Sequence, residues 1–97
     1  MATWYLAIRR GAEPPADLST VDEHLAWIRK QHADGTVLAS GPSTDHSLGL
    51  YLLHVASREA AAELLAQDPI AQGEHVTFEI IEWDVHQLLG VGLFART

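Results

Sequence analysis

Four β-prone segments and two amphipathic segments, in the order β-α-β-β-α-β, predict an α+β fold built on a four-stranded antiparallel sheet. The β-prone segments alternate apolar and polar residues or run apolar throughout, whereas the other two repeat apolar residues at helical spacing. Glycine, proline and aspartate separate the segments, as is typical of turns. In this ferredoxin-like arrangement both helices lie on one face of the sheet.

The first predicted strand covers residues 3–8, where successive side chains would face opposite sides of the sheet. Arg9 and Arg10 end this strand. A loop rich in Gly, Pro, Asp and Ser is expected over residues 11–20.

The first helix carries the histidine from which any chemistry is expected to start. Ser19 or Thr20 is its predicted N-cap, and acidic residues follow in the expected first turn. The residues of its predicted buried stripe are Val21, Leu25, Ile28 and His32. His24 flanks that stripe, so its ring is expected to reach a pocket while staying partly exposed.

Glycine and proline limit the second predicted strand. Gly35 is expected to end the first helix, because glycine adopts the left-handed conformation without steric cost. Residues 36–40 are β-prone. Gly41 and Pro42 are expected to end the strand at a corner, since proline has no N–H for a sheet ladder.

The third and fourth predicted strands are apolar on both faces. They cover residues 48–56 and 76–83, and a second helix lies between Ser57 and an Asp-Pro pair at 68–69. Two helices cover only one face of a sheet, so the second face is expected to meet another copy in a face-to-face homodimer. The alternative is that the apolar tail, residues 85–97, folds back over that face.

Composition excludes several classes of function. The chain has 97 residues, a formal net charge of −7 and no cysteine, which argues against nucleic-acid binding, disulfides and thiolate chemistry. Without a signal-like or membrane-spanning run, we expect a cytoplasmic protein with no membrane role. Six histidines occur, but none has the spacing of a metal site, so no metal is expected.

The ordered segments resemble the YCII-related family of small α+β proteins. The resemblance rests on TWYLAI, EHLAWIRKQHADG, VLASGP, GLYLLHVAS and SREAAAELLAQ followed by DPI, and covers about residues 3–83. It implies one YCII-like domain over residues 1–97, with 85–97 as an apolar C-terminal extension longer than the usual tail. It also implies the dimeric α+β barrel superfamily, which holds muconolactone isomerases and cofactor-free monooxygenases, and hence no cofactor.

The resemblance further implies roles for individual residues. Family members are thought to carry a His-Asp pair in a pocket beside the dimer interface, and the matching residues here are His24 and Asp68. Gly41 and Pro42 match the corner that lines this pocket. One characterised branch of the family eliminates chloride from a chlorinated hydroxyquinone.

Residue chemistry supplies both support and alternatives for this site. A histidine is suited to acid-base work near neutral pH, and a carboxylate can orient it. Arg9 or Arg10, where some family members have an acidic residue, would make the rim cationic and hold an anionic oxygen. Tyr5 and Ser43 are further candidates for substrate contact. The structural alternatives are a half-exposed helical histidine, a turn aspartate, a packed tyrosine and a polar loop serine.

Two classes of function follow. The first is a small cofactor-independent lyase or isomerase that acts on a small cyclic or aromatic metabolite by histidine-based proton transfer. The second is a non-catalytic dimeric ligand-binding or accessory domain, which the small number of polar candidates favours. Cofactor-free oxygenation would also suit the superfamily, but no particular residue supports it.

Overall fold

An antiparallel sheet of four strands, with two helices on one face, forms the body of the protein in a computed structural model that describes residues 3–11, 18–72, 75–88 and 92–93. The elements are β1 Thr3–Arg10, α1 Leu18–Ala33, β2 Val37–Pro42, β3 Gly49–Val55, α2 Arg58–Leu65, a 3-10 turn Pro69–Ala71, β4 Thr77–Trp83, β5 Gln87–Leu88 and β6 Gly92–Leu93. The predicted α+β, ferredoxin-like fold is confirmed.

The strand order in the sheet is β2-β3-β1-β4. β1 therefore lies between β3 and β4, with Ala7 opposite Tyr51 and Arg9 opposite Gly49. Because side chains alternate along a strand, Arg9 and Tyr51 lie on the same face as diagonal neighbours. This register brings a cation and a phenol together beneath the helices.

The core lies between this face and the helices. Its buried residues are Tyr5, Ala7, Val37, Tyr51, Leu53, Ala61 and Leu65. Ser57 caps α2 as predicted, since its hydroxyl accepts a hydrogen bond of 3.0 Å from the backbone N–H of Ala60. The helical spacing of apolar residues predicted for this segment is matched by the burial of Ala61 and Leu65 in α2.

The buried face of α1 is rotated relative to the predicted stripe. The residues that face the core are His24, Trp27, Ile28 and Gln31. Leu25 is 40% exposed and His32 is exposed, with its Nδ1 3.1 Å from the backbone oxygen of Val37. The predicted stripe and the observed one both have helical spacing. The observed stripe packs against the core because it buries the large indole of Trp27. His24 consequently lies on the buried face rather than at its edge.

The ends of α1 give one confirmation and one correction. Gly35 has φ +78°, and the N–H groups of Thr36 and Gly35 bond to the carbonyls of Gln31 and His32, which is a Schellman motif. The helix begins at Leu18, so the predicted N-cap at Ser19 or Thr20 is wrong. The acidic residues expected in the first turn lie deeper in the helix.

The second strand runs further than its sequence suggests. β2 continues through Gly41 and Pro42, which pair with Leu50 and Gly49 of β3. β2 is an edge strand and pairs on one side only. The N–H that Pro42 lacks is therefore not missing from a ladder between two inner strands. The Gly-Pro corner therefore belongs to the sheet edge.

The other face of the sheet is apolar, as predicted. Leu6 pairs with Leu52 on one side and with Ile81 on the other, so these side chains form a stripe across three strands. Ile81 and Trp83 are 38% and 45% exposed. Neither α1 nor α2 combines the length and hydropathy that crossing a bilayer demands.

The tail begins with a buried residue. Val85 is only 4% exposed, and β5 pairs with β6 in a small antiparallel ladder. Leu89, Val91 and Phe94, which also contribute to the predicted apolar tail, lie outside the described residues.

Candidate functional site

Asp68 is the centre of the candidate site. It follows α2, has extended backbone dihedrals as expected before a proline, and caps the 3-10 turn by accepting a 3.1 Å hydrogen bond from the N–H of Ile70. Its side chain is 0% exposed. A carboxylate so deeply buried requires partners, because an unpaired buried charge is strongly unfavourable.

His24 supplies the first side-chain partner. α1 packs against the 3-10 turn, which brings Nδ1 of His24 to 2.6 Å from Oδ1 of Asp68. The His24 side chain keeps 18% of its surface exposed. The carboxylate thus binds one ring nitrogen of His24, Nδ1. The ring, which also carries Nε2, lines the cavity described below.

Tyr51 and Arg9 hold the other oxygen of the carboxylate. The Tyr51 hydroxyl donates a 2.6 Å hydrogen bond to Oδ2 of Asp68. Nη1 of Arg9 donates to the same hydroxyl and lies 3.7 Å from Oδ2 of Asp68. The guanidinium also lies 5.6 Å from the centroid of the Tyr51 ring. Elements distant in sequence therefore converge on one buried carboxylate.

Gly49 makes room for the guanidinium. A Cβ at this position would lie 2.5 Å from both Cζ and Nη2 of Arg9. The register that places Arg9 opposite Gly49 is therefore needed for Arg9 to turn across β3 toward Tyr51.

The electrostatics of the cluster favour an ionised Asp68. Burial works against ionisation, but hydrogen bonds from His24, Tyr51 and the N–H of Ile70 outweigh it and hold the pKa of Asp68 below its usual value. Burial, followed by the hydrogen bond to the Asp68 carboxylate, raises the pKa of Tyr51, so the phenol stays protonated. An ionised carboxylate only accepts hydrogen bonds, which puts a proton on Nδ1 of His24.

A cavity of about 410 Å³ opens beside this cluster. The residues that line it are Arg9, His24, Leu25, Ile28, Ser40, Gly41, Pro42, Gly49, Leu50, Tyr51 and Ile70. The sequence-predicted residues Arg9, His24, Gly41 and Pro42 thus share one cavity, and Asp68 lies behind its wall in contact with His24.

Three other candidates lie elsewhere. Tyr5 is 3% exposed in the core, with the guanidinium of Arg58 5.9 Å from its ring. Ser43 lies in the β2–β3 loop, where its hydroxyl bonds to Asp45. Arg10 is exposed and pairs with Glu79 at 2.8 Å. Of the two neighbouring arginines, Arg9 is the one at the cavity.

Sequence reasoning missed Tyr51, Gly49 and the apolar wall of the cavity. Tyr51 stands among leucines in an apolar strand, a setting that by itself indicates packing. One signal was available in the sequence, since a buried tyrosine hydroxyl usually finds a hydrogen-bond partner. The need for a glycine at position 49 can be inferred only from the strand register, which places Gly49 opposite Arg9.

Comparison with known proteins identifies a family. The family model described as YCII-related domain matches residues 1–84. A search of curated proteins gave no match.

Proposed function

The chain belongs to the YCII-related family, and from this premise we propose that it is a small cofactor-independent enzyme of the lyase or isomerase type, with His24 as its proton-transfer residue. One observation carries the proposal. His24, on the wall of a cavity, lies 2.6 Å from the fully buried carboxylate of Asp68. A histidine oriented by a carboxylate in this way is suited to take up a proton and return it.

The proposed step begins with Nε2 of His24. This nitrogen removes a proton from a carbon beside a carbonyl group, or beside the keto form of a phenol. The electron pair of the C–H bond becomes the C=C bond of an enolate, and the π pair of the carbonyl moves to its oxygen. Asp68 stabilises the imidazolium that forms. Return of the proton at another carbon gives isomerisation, whereas departure of an anion from the neighbouring carbon gives elimination.

Arg9 is the proposed stabiliser of the developing negative charge. It lines the same cavity as His24, and its side chain is 12% exposed. Its Nη1 donates to Tyr51, and a guanidinium carries further N–H groups that this bond does not occupy. A fixed cation in a partly dry site stabilises an oxyanion far better than water does.

The proposed substrate is a small cyclic or aromatic metabolite. A cavity of about 410 Å³ lies at the small end of the range of ligand pockets. Leu25, Ile28, Leu50 and Ile70 supply apolar wall, and the polar groups gather at one side around Arg9 and His24. This distribution suits a ring that carries one carbonyl, carboxylate or phenol oxygen.

The test is proton exchange at carbon. A panel of cyclic enones, keto acids and hydroxyaromatic acids is incubated with the protein in D₂O, and loss of C–H signals is followed by proton NMR. His24→Ala should slow the exchange by ~10²–10⁴-fold. His32→Ala is the matched control, because His32 lies exposed on the same helix and should retain the parental rate.

Three outcomes decide the proposal. Equal rates for the parent and His24→Ala would overturn it. Asp68→Asn should slow exchange less than His24→Ala, since it misorients the base without removing it. If members of the panel bind without exchange, the protein is the non-catalytic ligand-binding or accessory domain that is the alternative function.

A further inference from the structure

The Tyr51 hydroxyl stands between the only guanidinium and the only carboxylate of the described cluster. It accepts a hydrogen bond from Nη1 of Arg9 and donates one of 2.6 Å to Oδ2 of Asp68. Tyr51 is 2% exposed, and Asp68 is 0% exposed. Bulk water therefore has little access to replace either bond.

The direction of each bond in this chain is fixed by chemistry. A guanidinium only donates, so the Tyr51 oxygen must accept from Arg9. The single phenol proton is then free to point at Asp68, and the raised pKa of Tyr51, caused by burial and by the neighbouring carboxylate, keeps that proton in place. His24 donates to the other oxygen of the same carboxylate. Arg9 thus points to Tyr51, and Tyr51 and His24 both point to Asp68.

Two donors that share one carboxylate affect each other. Stronger donation to Oδ2 withdraws negative charge from the carboxylate, and Oδ1 then becomes a weaker acceptor for the Nδ1 proton of His24. Arg9 polarises the Tyr51 hydroxyl and strengthens its donation in the same direction. The hydrogen bond from Nδ1–H of His24 to Asp68 is therefore weaker than it would be if His24 were the sole side-chain donor to this carboxylate.

We propose that Tyr51 is a positioning residue that sets, through Asp68, the strength of the hydrogen bond from Nδ1–H of His24 to the carboxylate. The proposal rests on the proposed function for its catalytic meaning, because it concerns the proposed base. Tyr51 needs no contact with the substrate for this role. Its effect on His24 exists in the free protein and is measurable without a substrate.

The sequence offers a clean way to change only the donor strength of this hydroxyl. Tyr5 and Tyr51 are the two tyrosines of the chain. Tyr5→Phe leaves Tyr51 as the sole tyrosine, so growth on 3-fluorotyrosine places fluorine at Tyr51 alone. Fluorine withdraws electrons and makes the phenol a stronger donor at nearly unchanged shape.

The readout is the proton resonance of His24 Nδ1–H in ¹⁵N-labelled protein, assigned by its disappearance in His24→Ala. Fluorination of Tyr51 should move this resonance to higher field, since the bond from Nδ1 to Asp68 weakens. The unsubstituted chain, with fluorine at both tyrosines, should show the same shift, and it avoids any folding defect of Tyr5→Phe. A role of Tyr51 in packing alone would leave the resonance in place.

Two results would overturn the proposal. One is an unchanged His24 resonance on fluorination. The other is a shift in the doubly fluorinated chain that vanishes in Tyr5→Phe, which would assign it to Tyr5. Neither result bears on the loss of carbon exchange in His24→Ala, so failure of the tuning role and failure of the proposed function are told apart.

Discussion

Asp68 is fully buried and still favours its charged form, and the reason lies in its neighbours. The carboxylate accepts hydrogen bonds from His24, Tyr51 and the backbone N–H of Ile70. Arg9 adds a positive charge 3.7 Å away. At the scale of single residues, a desolvated anion is thus stabilised by donors whose own orientations it fixes in return.

The free energy of unfolding should depend on pH through Asp68. Because its pKa is lowered in the folded state, the unfolded chain binds more protons between that folded value and about pH 4. This contribution to stability is therefore complete above about pH 4 and is lost as the pH falls through the folded-state pKa. Asp68→Asn should lower the free energy of unfolding by about 1–3 kcal/mol at neutral pH, and this deficit should shrink in acid.

Urea unfolding of both proteins between pH 7 and pH 3 measures the deficit. Asp45 has its pKa lowered to about 2, chiefly by the Ser47 hydroxyl, but it is present in both proteins and its effect cancels. A deficit that stays constant down to the lowest pH would mean that Asp68 does not titrate as its contacts require.

Gly49→Ala should remove Arg9 from the site without unfolding the protein. The new Cβ would meet the flexible end of Arg9 at 2.5 Å, so the side chain should move rather than the backbone, at a cost of about 1–3 kcal/mol. Loss of the charged donor should weaken binding of an oxyanion ligand by about tenfold or more. Titration of a panel compound by NMR measures this.

Gly41→Ala is the control for that experiment. Gly41 also lines the cavity, but a Cβ there meets nothing within 4 Å. Equal affinities of Gly49→Ala and Gly41→Ala for the compound would contradict the anchoring role of Arg9.

At the site, the sequence predicts which residues take part better than it predicts what surrounds them. The His24–Asp68 pair was expected from the family resemblance, whereas the complete burial of Asp68 was not, because an Asp-Pro turn is equally stable when exposed. Tyr51 joins the site through the β1–β3 register, which places it diagonally from Arg9. Such cross-strand neighbours cannot be read from spacing along one chain segment.

At the scale of elements, the ends of helices were easier to predict than their buried faces. Gly35 and Ser57 act through bonds within a few residues, so local sequence determines them. The face of α1 depends on what it meets, and Asp68 and the core select the side that carries His24. Its predicted stripe through Leu25 and His32 fitted the periodicity equally well.

Gly35→Ala should destabilise the protein through backbone conformation alone. Gly35 has φ +78°, where an L-residue pays roughly 1–2 kcal/mol, and its Cβ would meet nothing within 4 Å. Gly41→Ala introduces the same methyl into equally open space without a positive φ, and it should be neutral or slightly stabilising. Urea midpoints compare the two, and equal midpoints would rule out the left-handed cap as the cause.

At the scale of the whole molecule, the two faces of the sheet differ in what covers them. The helices cover the face that carries Tyr5, Ala7 and Tyr51. The opposite face presents Leu6, Leu50, Leu52 and Trp83 around a hollow of about 340 Å³. Ile81 and Trp83 are exposed on this face, whereas Leu52 is 8% exposed. Large exposed apolar side chains beside a hollow indicate an interaction site. Sequence alternation predicted this second apolar face, but alternation alone does not identify its partner.

We propose that a second copy covers this face, giving a homodimer joined through the sheets. Light scattering at micromolar concentration should then give twice the chain mass of 10.6 kDa. Ile81→Glu should shift the protein toward monomer, because Ile81 is 38% exposed on this face and an unpaired charge buried there would cost several kcal/mol. Ala62→Glu, on the exposed side of α2, is the matched control and should leave the mass unchanged. A monomeric parent, or an Ile81→Glu protein with the parental mass, would instead favour the alternative that the C-terminal tail covers the face.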